Sequence, residues 1–363
     1  MQGTALGIRD LALILGKRCC GRYKQCEVIE DYDARCEISM RHSLDGKTTS
    51  PQCEARTAFT LVELLVVIAI VALLMVILLP ALSGARRQAK ATACLTHLRT
   101  IGQGIVLYAN HNNDVLVPGR LPKIDDENWR VKITGGIKYR PTFLAMMAGQ
   151  LGIPPFEEPL PSKTETDKGG QPGDRQNYAS DVFLCPEVSH WVDERNGAYG
   201  YNYQFLGNSR LRDETRMTSY KNWPVKYSSI RSPHECVAVA DCMGTAASFK
   251  PRDRRDYEDN EFRDSASGRT LEAYGNEGFN LDPPRVDPDH GEMASLKHDH
   301  AARTALHPRH KDRGSVLWVD GHASGETLKT LGYDVDEEGV VTFEGDNKKF
   351  SVHHLDEAWV ETR

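Results

Sequence analysis

Neither sign of charge dominates this chain: 51 acidic residues against 45 basic leave a formal net charge of −6 over 363 residues. That balance gives no reason to expect a nucleic-acid partner. The usual catalytic motifs are missing too. There is no G-x-S-x-G elbow, no phosphate-cradling P-loop and no glycine-rich dinucleotide fingerprint. No internal repeat is visible. A non-enzymatic chain with no ATP site of its own is the expectation.

What the sequence does hold is one long apolar run, AFTLVELLVVIAIVALLMVILLP, from Ala58 to Pro80. From Phe59 to Leu79, 21 residues rising about 1.5 Å each reach roughly 32 Å, enough to cross a bilayer's hydrocarbon core. A helix greasy on every face reads as a membrane span rather than a core helix. A secretory signal fits poorly, because such signals are shorter and end at a small-residue cleavage site. A plain anchor leaves Glu63 unexplained. A carboxylate deep in lipid costs on the order of 3 kcal/mol, less near the interface where this one sits. Glu63 either snorkels to the interface, is protonated, or finds a cationic partner.

The run Ala58-Phe59-Thr60-Leu61-Val62-Glu63-Leu64-Leu65-Val66-Val67-Ile68-Ala69-Ile70, followed by Pro80, resembles the type IV prepilin and type II secretion pseudopilin family. The resemblance implies that a membrane-embedded aspartyl prepilin peptidase cuts between Ala58 and Phe59. It also implies N-methylation of the new Phe59 amine, which Glu63 of a neighbouring subunit then meets. Ala58 stands where the family usually has Gly. Three further stretches are similar to a large-headed branch of that family: Cys94-Leu95-Thr96-His97-Leu98-Arg99 with Tyr108-Ala109-Asn110, Phe183-Leu184-Cys185-Pro186, and Tyr199-Gly200-Tyr201-Asn202-Tyr203. His310, nine residues and Asp320-Gly321 reproduce an H-x9-DG signature of prepilin-processing-associated domains.

This gives an α+β expectation in which a long N-terminal helix packs on an antiparallel β-sheet head. The expected divisions are a leader (1–58), a span (59–80), an amphipathic continuation (81–113) and a head (114–363). Met40 offers an alternative start within the leader. Cys94, Leu98, Ile101, Ile105 and Tyr108 recur in steps of four and three, one buried helical face. Pro80 is expected to kink the helix. Asn110, Asn112 and Asn113, then Pro118-Gly119, are expected to close it. Predicted strands are 182–184, 235–240, 316–319, and a hairpin of 340–343 with 350–353 around Glu344-Gly345-Asp346-Asn347. Residues 154–176 read as a surface loop, and 249–300 as a polar insert, either mobile or a binding surface.

Four cysteines follow the leader: Cys94, Cys185, Cys236 and Cys242. They are candidate disulfide partners outside the cytoplasm, and connectivity is not readable from sequence. Cys94 with Cys185 would tie the helix to the sheet; Cys236 and Cys242 on one strand would stand too far apart to pair. Asp320-Gly321 reads as a turn after a strand, with His310 hydrogen-bonding across it. His298, Asp299, His300, His307, His310, Asp312, Asp320 and His322 are dense in ligand types yet match no closed spacing template, so no metal site is expected. Asp282, Asp287 and Asp289 offer calcium hard oxygens without EF-hand spacing, so no cofactor is predicted, calcium being left open.

The resemblance implies the partners and location: prepilin peptidase, other pilin or pseudopilin subunits, an inner-membrane assembly platform, a cytoplasmic ATPase and membrane lipid. The leader would be cytoplasmic and the head extracytoplasmic, in a filament subunit serving protein export. The competing expectation is an anchored metal- or polysaccharide-binding protein or hydrolase displayed by the same machinery. Tyr199, Tyr201, Tyr203 and Trp223 would be its sugar-stacking surface.

Overall fold

The computed structural model describes residues 60–119, 130–139, 141–156, 176–194, 196–207, 212–213, 216–220, 224–256, 273–285 and 303–357. The chain divides into two units, 1–64 and 65–363. The leader with its cysteines, Ala58, Phe59, Trp223, Asp287, Asp289, His298, Asp299 and His300 lie outside the described residues, as do 157–175 of the expected loop.

Helix α1 runs from Leu61 to His111, 51 residues without interruption. Every side chain from Leu61 to Ser83 is exposed, although nearly all are apolar. The helix is long and apolar enough to cross a membrane. Pro80 lies inside α1 without ending it, and Ser83 Oγ donates to the Pro80 carbonyl at 2.9 Å. From Cys94 onward one face is buried: Cys94, Leu98, Ile101, Gly102, Gly104, Ile105 and Ala109, with Tyr108 partly covered. The predicted stripe is therefore the docking face. α1 closes through Asn113 and Asp114 in the left-handed region (φ 54° and 70°), with the Asn112 side-chain amide donating to the Tyr108 carbonyl at 2.7 Å.

The rest is α+β, with antiparallel pairing in every named strand. Hairpin β1–β2 (Arg130–Ile133, Gly136–Tyr139) precedes the short helix α2 (Phe143–Ala148). Then come β3 (Tyr199–Tyr201), the single turn α3 (Tyr203–Leu206) and the hairpin β4–β5 (Arg212–Asp213, Arg216–Tyr220). β6 (Val237–Asp241), β7 (Gly314–Trp318) and β8 (Ala323–Glu326) join β3 in a four-stranded sheet of order β3-β6-β7-β8. A last pair, β9 (Tyr333–Val335) and β10 (Val341–Gly345), completes the fold. All of β3, β6 and β7 is buried. α1 approaches β7 closely at Gly102, where an added Cβ would stand 2.8 Å from Leu317 Cδ1 and 3.3 Å from the Gly321 Cα.

Several expectations need correction. Residues 181–183 form a 3-10 turn rather than a strand, because Ser180 Oγ accepts from the Val182 amide at 3.3 Å and captures a donor that a ladder would need. The 340–343 segment pairs with β9 and not with 350–353. Buried Asn347 accounts for this: it accepts from the Arg285 amide (2.7 Å) and donates to the carbonyls of Arg285 (2.7 Å) and Glu357 (2.9 Å), so it is unavailable to close a hairpin. Tyr199, Tyr201 and Tyr203 are 1%, 0% and 2% exposed, so they are core and not a sugar-stacking surface. Part of the 249–300 stretch is also core. Leu281 is fully buried, its amide donates to the Tyr201 carbonyl (2.9 Å), and the Tyr201 amide donates to that of Phe279 (3.0 Å), extending the edge at β3.

The docking face makes a measurable prediction. Leu98→Ala, at a fully buried position, should lower unfolding free energy by about 2–5 kcal/mol. Gln103→Ala on the exposed face should change it by less than about 0.5 kcal/mol. Urea unfolding of the full chain in detergent compares the two.

Candidate functional site

Two places concentrate chemistry. The first is the start of α1, where Thr60 and Glu63 form a reciprocal cap. Thr60 Oγ1 accepts from the Glu63 amide (3.2 Å), while Glu63 Oε2 accepts from the Thr60 amide (2.8 Å) and hydroxyl (2.8 Å). This is the T-x-x-E capping box, which satisfies backbone donors that a helix start leaves open. The sequence reading assigned Glu63 to assembly and missed this local duty, although the spacing was there to be read. The carboxylate is held against the amide of residue 60, next to the position of the predicted new terminus.

The second place lies within residues 65–363. Cys94 on α1, Cys185 after the 3-10 turn, Asp241 at the end of β6 and His310 before β7 each aim one ligand-type atom inward. These four atoms all lie within 4.8 Å of one another. Cys94 Sγ is 3.2 Å from the Tyr199 hydroxyl and 3.5 and 3.7 Å from the two Asp241 oxygens. Cys185 Sγ is 3.5 Å from His310 Nε2, which is 3.2 Å from Asp241 Oδ2. Both cysteines are free thiols, as are Cys236 and Cys242.

Local chemistry places each group. A tight turn with Lys311 and Asp312 at positive φ (53° and 63°) returns the chain on itself, the His310 amide donating to the Arg313 carbonyl at 2.8 Å. The His310 Nδ1 meets no hydrogen-bond partner among the described residues. Asp241 Oδ2 accepts from the Ser315 amide at 2.6 Å, which fixes the carboxylate across β6 and β7. Arg309, buried with its guanidinium over the Trp191 ring (4.8 Å to the centroid), brings Nε to 3.8 Å from Asp241 Oδ1. It also donates to the Cys242 carbonyl and, through Nε, to His307 Nδ1 (2.9 Å).

The electrostatics follow from these contacts. Burial by itself would raise the pKa of Asp241, but Arg309 and His310 pull it down to about 2. Burial likewise works against a charged His310, yet the hydrogen bonds to Asp241 and Cys185 outweigh it and lift its pKa to about 9. A thiol hydrogen bond from Cys94, with help from Arg309 and His310, brings Cys185 down to about 5. Burial first, and then that same bond, pushes Cys94 well above the thiol range. Cys236 and Cys242, whose thiols are not part of this set, are pushed up to about 12 by burial.

The H-x9-DG signature is thereby divided between two places. His310 bonds to Asp241 and Cys185 rather than across the turn. Asp320 orders the β7–β8 turn, Oδ1 accepting from the His322 amide (3.1 Å) and lying 2.6 Å from His322 Nδ1. Gly321 there adopts φ 93°, as the turn requires. His307 is held neutral, its pKa well below the ordinary value, by burial and by Arg309. Asp282 already accepts from the Thr304 amide (2.8 Å) and the Tyr203 hydroxyl (3.0 Å). Asp241 is the member of this cluster that the sequence did not signal.

With this geometry in place, the likeness to known proteins is limited and specific. Residues 55–79 match the family described as the prokaryotic N-terminal methylation motif. No curated protein and no solved structure matches the chain. The motif covers the start of α1 with its capping box, and supports a prepilin-type N-terminus.

The buried charges make their own prediction. Asp241→Asn would remove the carboxylate that Arg309 and His310 both engage and should cost about 3–5 kcal/mol of stability. Glu337→Gln, exposed in the β9–β10 turn, should cost less than about 0.5 kcal/mol. Denaturant midpoints of the full chain in detergent distinguish the two outcomes.

Proposed function

We propose that this chain is a membrane-anchored, non-enzymatic pilin-like subunit that prepilin peptidase processes. We further propose that it assembles with similar subunits into a type II secretion pseudopilus or a type IV pilus-like filament serving protein export. One observation carries the reading: the methylation motif at 55–79 coincides with the exposed apolar half of a single continuous helix. The second half of that helix is built into an α+β head. An anchor alone would not require a helix whose second half is built into a protein core.

Cleavage between Ala58 and Phe59 would create an amine one residue before Thr60. The Glu63 carboxylate, held by the capping box against the Thr60 amide, is then poised to answer that amine on a neighbouring subunit. Each charge lowers the cost of carrying the other in lipid. The leader would remain cytoplasmic and the head would lie outside, with a separate membrane platform and ATPase supplying movement. The head is read as structural rather than catalytic. Its tyrosines are core, and its densest set of reactive side chains is buried.

Mass spectrometry of the mature protein should find N-methylated Phe59 as its first residue. An intact leader on assembled protein contradicts the reading. Glu63→Ala should leave membrane insertion unchanged while reducing filament incorporation at least tenfold, scored by shearing and membrane fractionation. Incorporation equal to the parent would remove the charge-pair role.

A further inference from the structure

We propose that Cys94, Cys185, Asp241 and His310 form a closed four-ligand site for a zinc-like divalent transition-metal ion, clamping α1 to the head's sheet. Two thiolates, an imidazole and a carboxylate are the donor types that structural zinc takes, with four protein ligands and no open position. The spacing fits as well. Bond lengths of about 2.3 Å to sulfur and about 2.0–2.1 Å to nitrogen and oxygen imply tetrahedral edges of about 3.6 Å (S to N or O) and about 3.3 Å (N to O). The structure has 3.7 Å for Cys94 Sγ to Asp241 Oδ2, 3.5 Å for Cys185 Sγ to His310 Nε2 and 3.2 Å for His310 Nε2 to Asp241 Oδ2. The remaining edges are within 4.8 Å.

The surroundings suit an ion. The three acidic ligands are fully buried and His310 is 9% exposed. Two thiolates and a carboxylate around a dication leave one net negative charge, which Arg309, 3.8 Å from Asp241 Oδ1, offsets. The Ser315 amide orients the carboxylate, the outer support that metal ligands commonly have. A Cys94–Cys185 disulfide would use the sulfurs alone and give His310 and Asp241 no reason to converge on them. The inference stands apart from the filament reading, since a closed structural site serves any use of the head.

The test uses the full chain purified in detergent under reducing conditions. Elemental analysis should find about one zinc per chain. X-ray absorption at the zinc edge should show two sulfur and two nitrogen or oxygen neighbours, a measurement that requires no variant. Cobalt added to the stripped chain should give thiolate charge-transfer bands with tetrahedral ligand-field bands. Cys185→Ser and His310→Ala should each weaken zinc binding at least tenfold, while Cys236→Ser, a buried thiol outside the set, should bind as the parent does. Failure of the reduced, stripped parent to take up zinc or cobalt overturns the proposal. So does a native isolate carrying a Cys94–Cys185 disulfide and no metal. Leader processing and filament incorporation are scored separately and do not bear on these outcomes.

Discussion

One backbone has to satisfy two solvents. From Leu61 to Ser83, α1 presents apolar side chains in every direction; from Cys94 to Ala109 it offers one apolar face and a polar remainder. The exposed apolar residues of the first half touch nothing in the head, so docking depends on the second half alone. Leu98, Ile101 and Ile105 are its large contacts, each worth about 1.5–3 kcal/mol on burial. Gly102 and Gly104 let the helix come close, the first against Leu317 and the second against Met147. Cys94 marks the first fully buried position, and Lys90, one turn earlier, reaches Glu187 at 2.9 Å. The anchor therefore joins the head at a defined point.

That join is polar at its centre, and polarity under burial is expensive. Asp241, Arg309 and His310 are removed from water together, which is tolerable only because each answers another. Arg309 spreads its charge over the Trp191 ring, the Cys242 carbonyl and the Asp241 carboxylate. The ends of β6 and β7, the loop after Phe183 and the helix all contribute. Loss of one partner strands the rest, so the cluster is a point of high cooperativity within the head.

Much of this was legible. Four-three spacing found the docking face of α1 nearly residue by residue, because a helix with one buried side must repeat at that period. β6 and β7 stood out as short branched apolar runs. The failures were local competition: Ser180 diverted the expected strand 182–184 into a 3-10 turn, and Asn347 kept 350–353 from pairing with 340–343. Asp241 was hidden for a different reason. It ends an ordinary buried strand, VAVAD, and its partners come from positions 94, 185 and 310. Spacing templates detect ligands that are near in sequence, and this set is assembled only by tertiary folding.

The nine-residue separation of His310 from Asp320-Gly321 also has a physical reading in this fold. β7, Gly314–Trp318, lies between them, so the two ends of the signature serve opposite ends of one strand. His310 enters the buried cluster after its tight turn, while Asp320 and Gly321 reverse the chain into β8. A change in the intervening length would misplace either the imidazole or the turn. Cys94 and Cys185, drawn from two other motifs of the sequence, meet that imidazole. The cluster is complete only when helix, loop and sheet have each reached their native positions.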